Sequence, residues 1–342
     1  TSRNTRVKAR VKAEALREFI TVKDKIFVMG HQLTDVDSFG AAIGIYRAAN
    51  ALEKRAYIVI NEVSASLKPL YTAYENNPDY PERLFLNSAE ALELADESSM
   101  VVVVDTNRPG MTECEELLHV AKTIVVLDHH RQSSDNIDNA LLSYIEPYAS
   151  SACEMVSEVL QYIVDDIKIP NLEASSLYAG IMIDTNNFMN KTGVRTFEAA
   201  AFLRRSGADI TLVRKMFRDD MESYRAKAQI ISSAKVYHNK YAIARGENLT
   251  IESPTIIGAQ AANELLDINE VKASFVLTTY NGRIYVSARS IDEVNVQIIM
   301  ERLGGGGHMN ASGAQFDHTD MDEAVADLKQ VIDDVIEGGE IE

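Results

Sequence analysis

The chain has 342 residues, 46% of them hydrophobic, which is enough for two domains that each have a hydrophobic core. Its formal net charge of −17 would repel a long nucleic acid and argues against extended nucleic-acid binding. With only two cysteines it is no disulfide scaffold, and no run approaches the ~20 apolar residues of a membrane helix, so we expect a cytoplasmic location. Because it begins at Thr1 rather than Met, we also expect it to be a fragment or a processed form of a longer protein.

Residues 1–23 carry a net positive charge, opposite in sign to that of the whole chain, with seven Lys or Arg and only two Glu. Their apolar residues recur at helical spacing, which predicts a basic helical lead-in. The apolar positions are Val7, Val11, Leu16, Phe19 and Ile20. Two roles stay open, namely contact with membrane lipid or nucleic acid, and a solvated helix that leads in from upstream sequence.

Residues 24–205 are predicted to form an α/β domain with a mainly parallel sheet. Short β-branched runs alternate with helical patterns, as in βαβ units, and the strands read as continuous apolar runs because both faces of a parallel sheet are covered. The predicted strands are 26–29, 56–60, 101–104 and 124–127, and the predicted helices are 37–52, 150–165 and 172–186, with Thr196 as the N-cap of another.

The remainder of the chain is predicted to form a smaller α+β domain behind a helical connector. Residues 206–236 are assigned to the connector, since 208–235 keep a helical pattern without glycine or proline. Residues 237–342 form the second domain, in which Asn281-Gly282 is a hairpin turn signal. Its predicted strands are YAIAR, VKASFVLTTYNGRIYVSARS and SGAQF, and its predicted helices are 255–266, 293–302 and 320–337.

Potential metal ligands follow the predicted strands where each strand ends. They are His31, Asp35 and Asp37 after the first strand, Asp105 after VVVV, Asp128, His129 and His130 after IVVL, and Asp184 on an otherwise apolar helical run. Each has a structural explanation by itself, such as helix capping by Asp37, turn capping by Asp105 or core packing of His129. Because carboxyl ends of parallel strands share one edge of a sheet, four such segments together favour a metal site.

The ligand types narrow the choice of metal. Several carboxylates and two imidazoles without a thiolate favour Mn²⁺, then Mg²⁺, over a structural Zn²⁺. Six or more ligands exceed the need of one ion. A pair of metals suits in-line displacement at phosphorus, since two cations activate a water and neutralise phosphate charge.

A glycine run near the end of the sequence is a second candidate site. Gly304–Gly307 let the backbone approach an anion closely, although a run of glycines is also typical of a flexible turn. The spacing fits neither a Walker A loop nor a dinucleotide-binding fingerprint. Neighbouring Arg289-Ser290 and His308 make a phosphate-and-base pocket plausible. We expect His119, His238 and His318 to be surface or packing residues, and Tyr178 to pack in a core rather than stack on adenine.

Five stretches, in chain order, resemble the motifs of a known family. GHQLTDVDSFGAA, VVVVDT, VVLDHH and GIMIDTNNF resemble the four motifs of the DHH phosphoesterase superfamily, and RLGGGGHMNASGAQF resembles the signature of its DHHA1 companion domain. SRNTRVKARVKAEAL and YIEPYASSACEMVSEVLQYI are similar to the GdpP-type cyclic di-AMP phosphodiesterases. In that group, membrane helices, a PAS-like domain and a degenerate GGDEF domain precede the catalytic part, and DHH/DHHA1 proteins often form homodimers.

The resemblance implies a role for each candidate residue. His31 and Asp35 would hold one Mn²⁺, Asp37, His129 and Asp184 would hold a second, and Asp105 would bridge both. Asp128 would orient the neighbouring imidazole, and His130 would face the substrate phosphate. The second domain would grip the distal end of the nucleotide through Arg289, Ser290, Gly306, Gly307 and His308. Thr34 stands where the family often has proline, which removes no ligand.

The implied activity is Mn²⁺-dependent hydrolysis of cyclic di-AMP to 5′-pApA, with weaker hydrolysis of related nucleotides, by a protein anchored in the membrane with this part in the cytoplasm. A nano-RNase or pAp phosphatase shares every metal ligand and stays open. The net charge argues against a RecJ-like exonuclease, and the second domain argues against an inorganic pyrophosphatase. From another class, a non-catalytic nucleotide sensor also stays open.

Overall fold

A computed structural model describes residues 2–342, with side chains from residue 5 onward. Thr1 and the side chain of Arg3, both part of the predicted basic lead-in, lie outside the described residues. The chain divides into two compact units, Thr1–Arg218 and Asp219–Glu342. Among residues 2–342, no helix combines the length and apolar character that crossing a bilayer requires.

The first unit is built on a six-stranded parallel sheet. Its strands are β1 (Lys25–Met29), β2 (Arg55–Val59), β3 (Phe85–Leu86), β4 (Met100–Val104), β5 (Thr123–Asp128) and β6 (Leu142–Ile145). They lie in the order β3-β2-β1-β4-β5-β6, and every neighbouring pair is parallel. The order reverses between β1 and β4, and a parallel sheet opens a crevice at such a point, beyond the carboxyl ends of its strands.

Helices cover both faces of this sheet. They are α1 (Ser2–Thr21), α2 (Val36–Ala51), α3 (Lys68–Tyr74), α4 (Ser88–Leu94), α5 (Leu117–Val120), α6 (Ala152–Ile163), α7 (Asn171–Asp184), α8 (Val194–Arg205) and α9 (Ile210–Met216), with a 3₁₀ turn at Pro109–Met111. Ile26 and Val28 of β1 belong to one core cluster, and Phe27 and Met29 belong to another. Burial on both faces explains why the strand sequences are continuously apolar.

Close packing of α2, α6 and α7 fixes the helices that carry site residues. A Cβ atom on Gly180 of α7 would lie only 2.3 Å from Cys153 Sγ of α6, and one on Gly40 of α2 would lie 2.6 Å from the same sulfur. Only glycine allows the helices to approach so closely at these two positions. The three helices therefore form a tight layer against one face of the sheet.

The second unit has a mixed sheet with helices on both faces. Its elements are α10 (Met221–Ser232), β7 (Lys235–Tyr237), β8 (Tyr241–Gly246), α11 (Pro254–Leu265), β9 (Ala273–Tyr280), β10 (Arg283–Ser290), α12 (Val296–Arg302), β11 (Gly306–His308), β12 (Ala311–Phe316) and α13 (Met321–Glu337). The order is β11-β12-β10-β9-β8-β7, and only β8 and β9 pair in parallel. The turn Asn281-Gly282 has positive φ at both residues, 51° and 73°, as a two-residue hairpin requires.

The predicted fold class, a mainly parallel α/β part followed by a smaller α+β part, is confirmed. The prediction that Thr196 is an N-cap is wrong, because Gly193 precedes α8 and Thr196 is its third residue. The Thr196 hydroxyl accepts a hydrogen bond from the Gly193 N–H (3.0 Å) and donates one to buried Glu154. A threonine at the third position of a helix can thus accept a hydrogen bond from the N–H of the residue that precedes the helix.

Candidate metal centre

The structure brings the predicted metal ligands together at the point where the strand order reverses. His31 and Asp35 follow β1, Asp105 follows β4, and His129 follows β5. Asp37 lies in the first turn of α2, and Asp184 is the last residue of α7. Three overlapping sets of ligand atoms among these candidates lie close enough to hold a metal ion: His31, Asp35 and Asp105; Asp37, His129 and Asp184; and Asp105, Asp128, His129 and His130. The first two match the predicted ligand sets.

The first set centres on the Nε2 atom of His31. This atom lies 3.4 Å from Asp35 Oδ2 and 3.4 Å from Asp105 Oδ2. On the other side of the ring, Nδ1 lies 2.9 Å from the Gln32 carbonyl, which can only accept a hydrogen bond. Nδ1 therefore carries a proton, so that loss of the second ring proton leaves a lone pair on Nε2, the form in which histidine binds a metal.

The second set centres on the Nε2 atom of His129. It lies 3.6 Å from Asp37 Oδ2, 3.5 Å from Asp184 Oδ2 and 3.1 Å from Asp105 Oδ1. The two oxygens of Asp105 thus face different histidines, Oδ2 toward His31 and Oδ1 toward His129. A carboxylate in this position can bridge two cations.

Neutral donors hold the carboxylates in place. Asp35 caps α2, and its Oδ1 accepts from the Ser38 N–H (2.8 Å); the alternative in which Asp37 is the cap is therefore wrong. Asp37 accepts instead from the first two N–H groups of α6, those of Ala152 and Cys153, at 2.9 Å each. A helix N-terminus carries partial positive charge, so it favours the ionised carboxylate.

Two residues that support the site were not identified from the sequence. The Ser38 hydroxyl donates to Asp105 Oδ2 (2.8 Å), and Asn107 Nδ2 donates to Asp128 Oδ2 (2.7 Å). Asp128 in turn bonds His130 Nδ1 through its other oxygen (2.7 Å). Both supporting residues stand within three positions of an acidic candidate, which is the only signal that the sequence offers for them.

The charges at the centre are poorly balanced by the protein itself. Burial and the charges of Asp184, Asp105 and Asp35 raise the pKa of Asp37 well above its ordinary value. Burial and the charges of Asp105 and Asp35 raise the pKa of Asp184 to about 6. Four crowded aspartates repel one another, and bound divalent cations would relieve that repulsion. The donor set therefore fits hard or borderline divalent metals.

The pKa values of His31 and Asp105 shift in opposite directions, each favouring the charged form. Burial disfavours the charged form of His31, but hydrogen bonds with Asp105 and Asp35 outweigh this and raise its pKa to about 11. Burial likewise disfavours ionised Asp105, but hydrogen bonds with His129 and His31 lower its pKa below the ordinary range. In the metal-free protein, a proton on His31 thus partly takes the place of a cation.

The second unit carries the predicted substrate-binding residues. Arg289 of β10 and His308 of β11 both lie opposite Ala311 of β12, so their side chains stand on the same face of the sheet. Within residues 5–342, no carboxylate lies within 4.0 Å of the Arg289 guanidinium, which bonds the Ala288 carbonyl (2.9 Å). Burial lowers the pKa of Arg289. A cation without a carboxylate partner is suited to bind an anion.

The other candidates of the second unit have structural contacts. The Ser290 hydroxyl donates to the Val294 carbonyl (2.6 Å) and accepts from Asn310 Nδ2 (3.0 Å). Gly306 and Gly307 belong to the exposed edge strand β11, and a Cβ on Gly307 would lie 2.6 Å from the Ala311 carbonyl oxygen. Packing on β12 is therefore a sufficient reason for glycine at position 307. The binding roles of these residues stay predictions.

Tyr178 and the remaining histidines are not members of these ligand sets. Tyr178 is buried and packs on Phe188, with ring centroids 5.9 Å apart, as expected for a core residue. His238 Nε2 lies 2.6 Å from Asp333 Oδ1. His318 is half-buried beside the exposed Glu323 and Asp327, so its surroundings are more acidic than expected.

Comparison with known proteins identifies two domain families. The model of the DHH family, N-terminal domain, matches residues 25–181, and that of the DHHA1 domain matches residues 249–337. The chain is 42% identical over 340 residues to the cyclic-di-AMP phosphodiesterase GdpP of Geobacillus thermodenitrificans, an alignment that covers 98% of this chain and 51% of that protein. It is 40% identical over 334 residues to the cyclic-di-AMP phosphodiesterase PdeA of Listeria monocytogenes, covering 97% and 50%.

A solved structure shares the fold. The exopolyphosphatase-related protein from Bacteroides fragilis superposes with a TM-score of 0.77 at 22% identity, and the match covers 95% of this chain and 96% of that one. At this identity the likeness concerns the fold alone. The chain spans about half the length of the curated relatives it matches.

Proposed function

The chain belongs to the DHH family and carries a DHH N-terminal domain followed by a DHHA1 domain, and on that premise we propose that it is a Mn²⁺-dependent phosphodiesterase that hydrolyses cyclic di-AMP to 5′-pApA. The names of relatives with about 41% identity support the substrate. The observation that carries the reaction type is the position of Asp105 between His31 and His129.

Each residue of the centre has a part in this proposal. His31 and Asp35 would hold one Mn²⁺, Asp37, His129 and Asp184 would hold the other, and Asp105 would contact both. When bound, two divalent cations supply an activated water and neutralise the non-bridging phosphate oxygens. The chain itself keeps the ligands in place through Ser38 and the first N–H groups of α6.

His130 is the proposed partner of the substrate phosphate. Its Nδ1 is tied to Asp128 Oδ1 (2.7 Å), which fixes the ring and leaves Nε2 for the substrate. The bond with Asp128 also raises the pKa of His130, so the imidazolium persists closer to neutral pH. Its Nε2–H can donate to a phosphate oxygen or give a proton to the departing 3′ oxygen.

We assign catalysis to residues 24–205 and substrate binding to residues 237–342, with residues 206–236 as connector. Arg289 and His308, which flank Ala311 on one sheet face, are the proposed contacts to the second phosphate and base. The proposal includes Ser290, Gly306 and Gly307 as part of the same pocket. We also propose that the chain forms a homodimer. We further propose that the complete protein is anchored in the membrane with these residues in the cytoplasm.

Product chromatography after incubation with cyclic di-AMP, cyclic di-GMP and pApA, with and without Mn²⁺, tests the function. We expect 5′-pApA from cyclic di-AMP only when Mn²⁺ is present. Release of AMP from pApA with cyclic di-AMP left intact would instead identify a nano-RNase or pAp phosphatase. Tight binding of uncut cyclic di-AMP in the presence of Mn²⁺ would identify a sensor, and degradation of a 20-mer would identify an exonuclease.

A further inference from the structure

The loop between β6 and α6, whose two ends are bonded to Asp128 and Asp37 of the centre, presents an exposed aromatic ring. Tyr148 is 91% exposed, more than any other large hydrophobic side chain among the described residues. Within residues 5–342 its hydroxyl has no hydrogen-bond partner, and its ring meets neither another aromatic ring nor a cation. Only four of the 24 Phe and Tyr side chains are exposed, and Tyr148 is the most exposed of them, so it needs an explanation.

Both ends of this loop are bonded to residues of the centre. At the start, the Glu146 N–H donates to the Asp128 carbonyl (2.9 Å), and Asp128 holds His130. At the end, the N–H groups of Ala152 and Cys153 donate to Asp37 (2.9 Å each). Tyr148 stands two residues from the first anchor and four from the second. Its Cα therefore lies within about 7 Å of the Glu146 Cα.

The loop is also held internally, so the ring projects from a fixed backbone. The Ala149 N–H donates to the Glu146 carbonyl (3.0 Å), which closes a turn with Tyr148 at its third position. Ser150 and Ser151 behind it are buried, and Ser150 Oγ donates to Glu154 Oε1 (2.9 Å). A tyrosine has only two side-chain torsions to fix on binding, so a ring on such a loop binds a flat ligand at little entropic cost.

We propose that Tyr148 stacks on a nucleobase of the substrate and is a substrate-binding residue, an inference that rests on the proposed function. In the proposed function, divalent cations held by the aspartates bind the substrate phosphate. The sugar and base attached to that phosphate would then lie over the surface around the centre, to which the β6–α6 loop belongs. The carboxylates of the centre cannot stack on the face of a base. Tyr178 is buried and its ring packs against Phe188, so it is not accessible to a base either. Stacking on an aromatic ring accepts any base, with purines favoured by their larger area.

Binding of adenosine 5′-monophosphate to the Mn²⁺-loaded protein, measured by calorimetry, tests this contact without any need for turnover. Replacement of a stacked aromatic by alanine weakens binding by about 10-fold or more. We therefore expect Tyr148→Ala to raise the dissociation constant of AMP, and the KM for cyclic di-AMP, by about this factor with kcat little changed. Tyr148→Phe keeps the ring and should bind as the wild type does.

Leu141→Ala is the matched control, because Leu141 is also exposed (59%) but stands at the amino end of β6. It should leave AMP binding unchanged. Equal AMP affinity in Tyr148→Ala and the wild type would overturn the inference, as would a changed oligomeric state in Tyr148→Ala with AMP affinity intact. Failure of the wild type to cut cyclic di-AMP would refute the proposed function instead, and the AMP comparison would still decide the role of Tyr148.

Discussion

Replacement of Asp184 by asparagine is expected to stabilise the metal-free protein while impairing its function. Asp184 ends α7, where the helix dipole is negative, and its carboxylate lies among other acids with only 23% of the side chain exposed. Burial and the charges of Asp105 and Asp35 raise its pKa from 3.8 to about 6. Since one pKa unit corresponds to about 1.4 kcal/mol, ionised Asp184 costs about 3 kcal/mol of folding stability above pH 7.

The sign of the pH dependence follows from the direction of this shift. A folded-state pKa above the ordinary value means that the fold favours protonated Asp184. The resulting stability is fully present below about pH 4 and is lost as the pH rises through about 6. The advantage of Asp184→Asn over the wild type should therefore be small at pH 4, grow up to about pH 6.5 and then stay constant at up to about 3 kcal/mol.

Urea unfolding in the presence of a chelator, at several pH values from 4 to 8, measures this difference. Asp165→Asn is the control, because Asp165 is exposed after α6, and it should leave stability nearly unchanged at every pH. Saturating Mn²⁺ should reverse the order, since a ligand at 100 times its dissociation constant adds about 2.7 kcal/mol to the protein that binds it. If Asp184→Asn were no more stable than the wild type in chelator at pH 7.5, the argument from charge crowding would be wrong.

Three further predictions address the reaction, the substrate and the fold. If the proposed function holds, Asp105→Ala should lower kcat for cyclic di-AMP by about 10³-fold or more at fixed free Mn²⁺, because both proposed cation sites would lose a ligand, with an unchanged circular dichroism spectrum. Arg289→Ala should raise KM by about 10-fold with kcat nearly intact, as expected for loss of one charge-assisted hydrogen bond, measured by steady-state kinetics. Arg47→Ala should destabilise the protein by about 3–5 kcal/mol in urea unfolding, because it leaves Glu173, which is fully buried, without the bidentate partner it has now.

Strands with both faces covered were predictable, and very short or exposed ones were not. The runs VVVV and IVVL sit at the centre of the first sheet, where burial on both sides demands apolar residues throughout. β3 has two residues and β11 has three, too few for any pattern of hydrophobicity. The order of the strands in the sheet could not be predicted from the pattern of hydrophobic residues either, because the order depends on which helix packs on which face.

Most of the metal-binding candidates were predictable because they follow a strand, whereas Asp37 and Asp184 lie on α2 and α7 and reach the centre only through the packing of those helices. A residue directly after a parallel strand lies at the carboxyl edge of the sheet, whatever else the chain does. The supporting contacts depend on the tertiary fold. Ser38 and Asp105 are 67 residues apart, and Asp37 is held by N–H groups 115 and 116 residues away. No local pattern connects such pairs.

The aspartates of the centre lack the arginine partners that some other buried acids have. Buried Glu173 is paired with Arg47 and Glu158 with Arg195, whereas buried Glu113 and Glu154 accept hydrogen bonds from neutral donors. The aspartates of the centre have no Lys or Arg within 4.0 Å among residues 5–342, only imidazoles and neutral donors. An arginine there would neutralise the acids permanently and compete with any metal, whereas imidazoles and N–H groups hold the carboxylates in position and leave their charge to attract divalent cations.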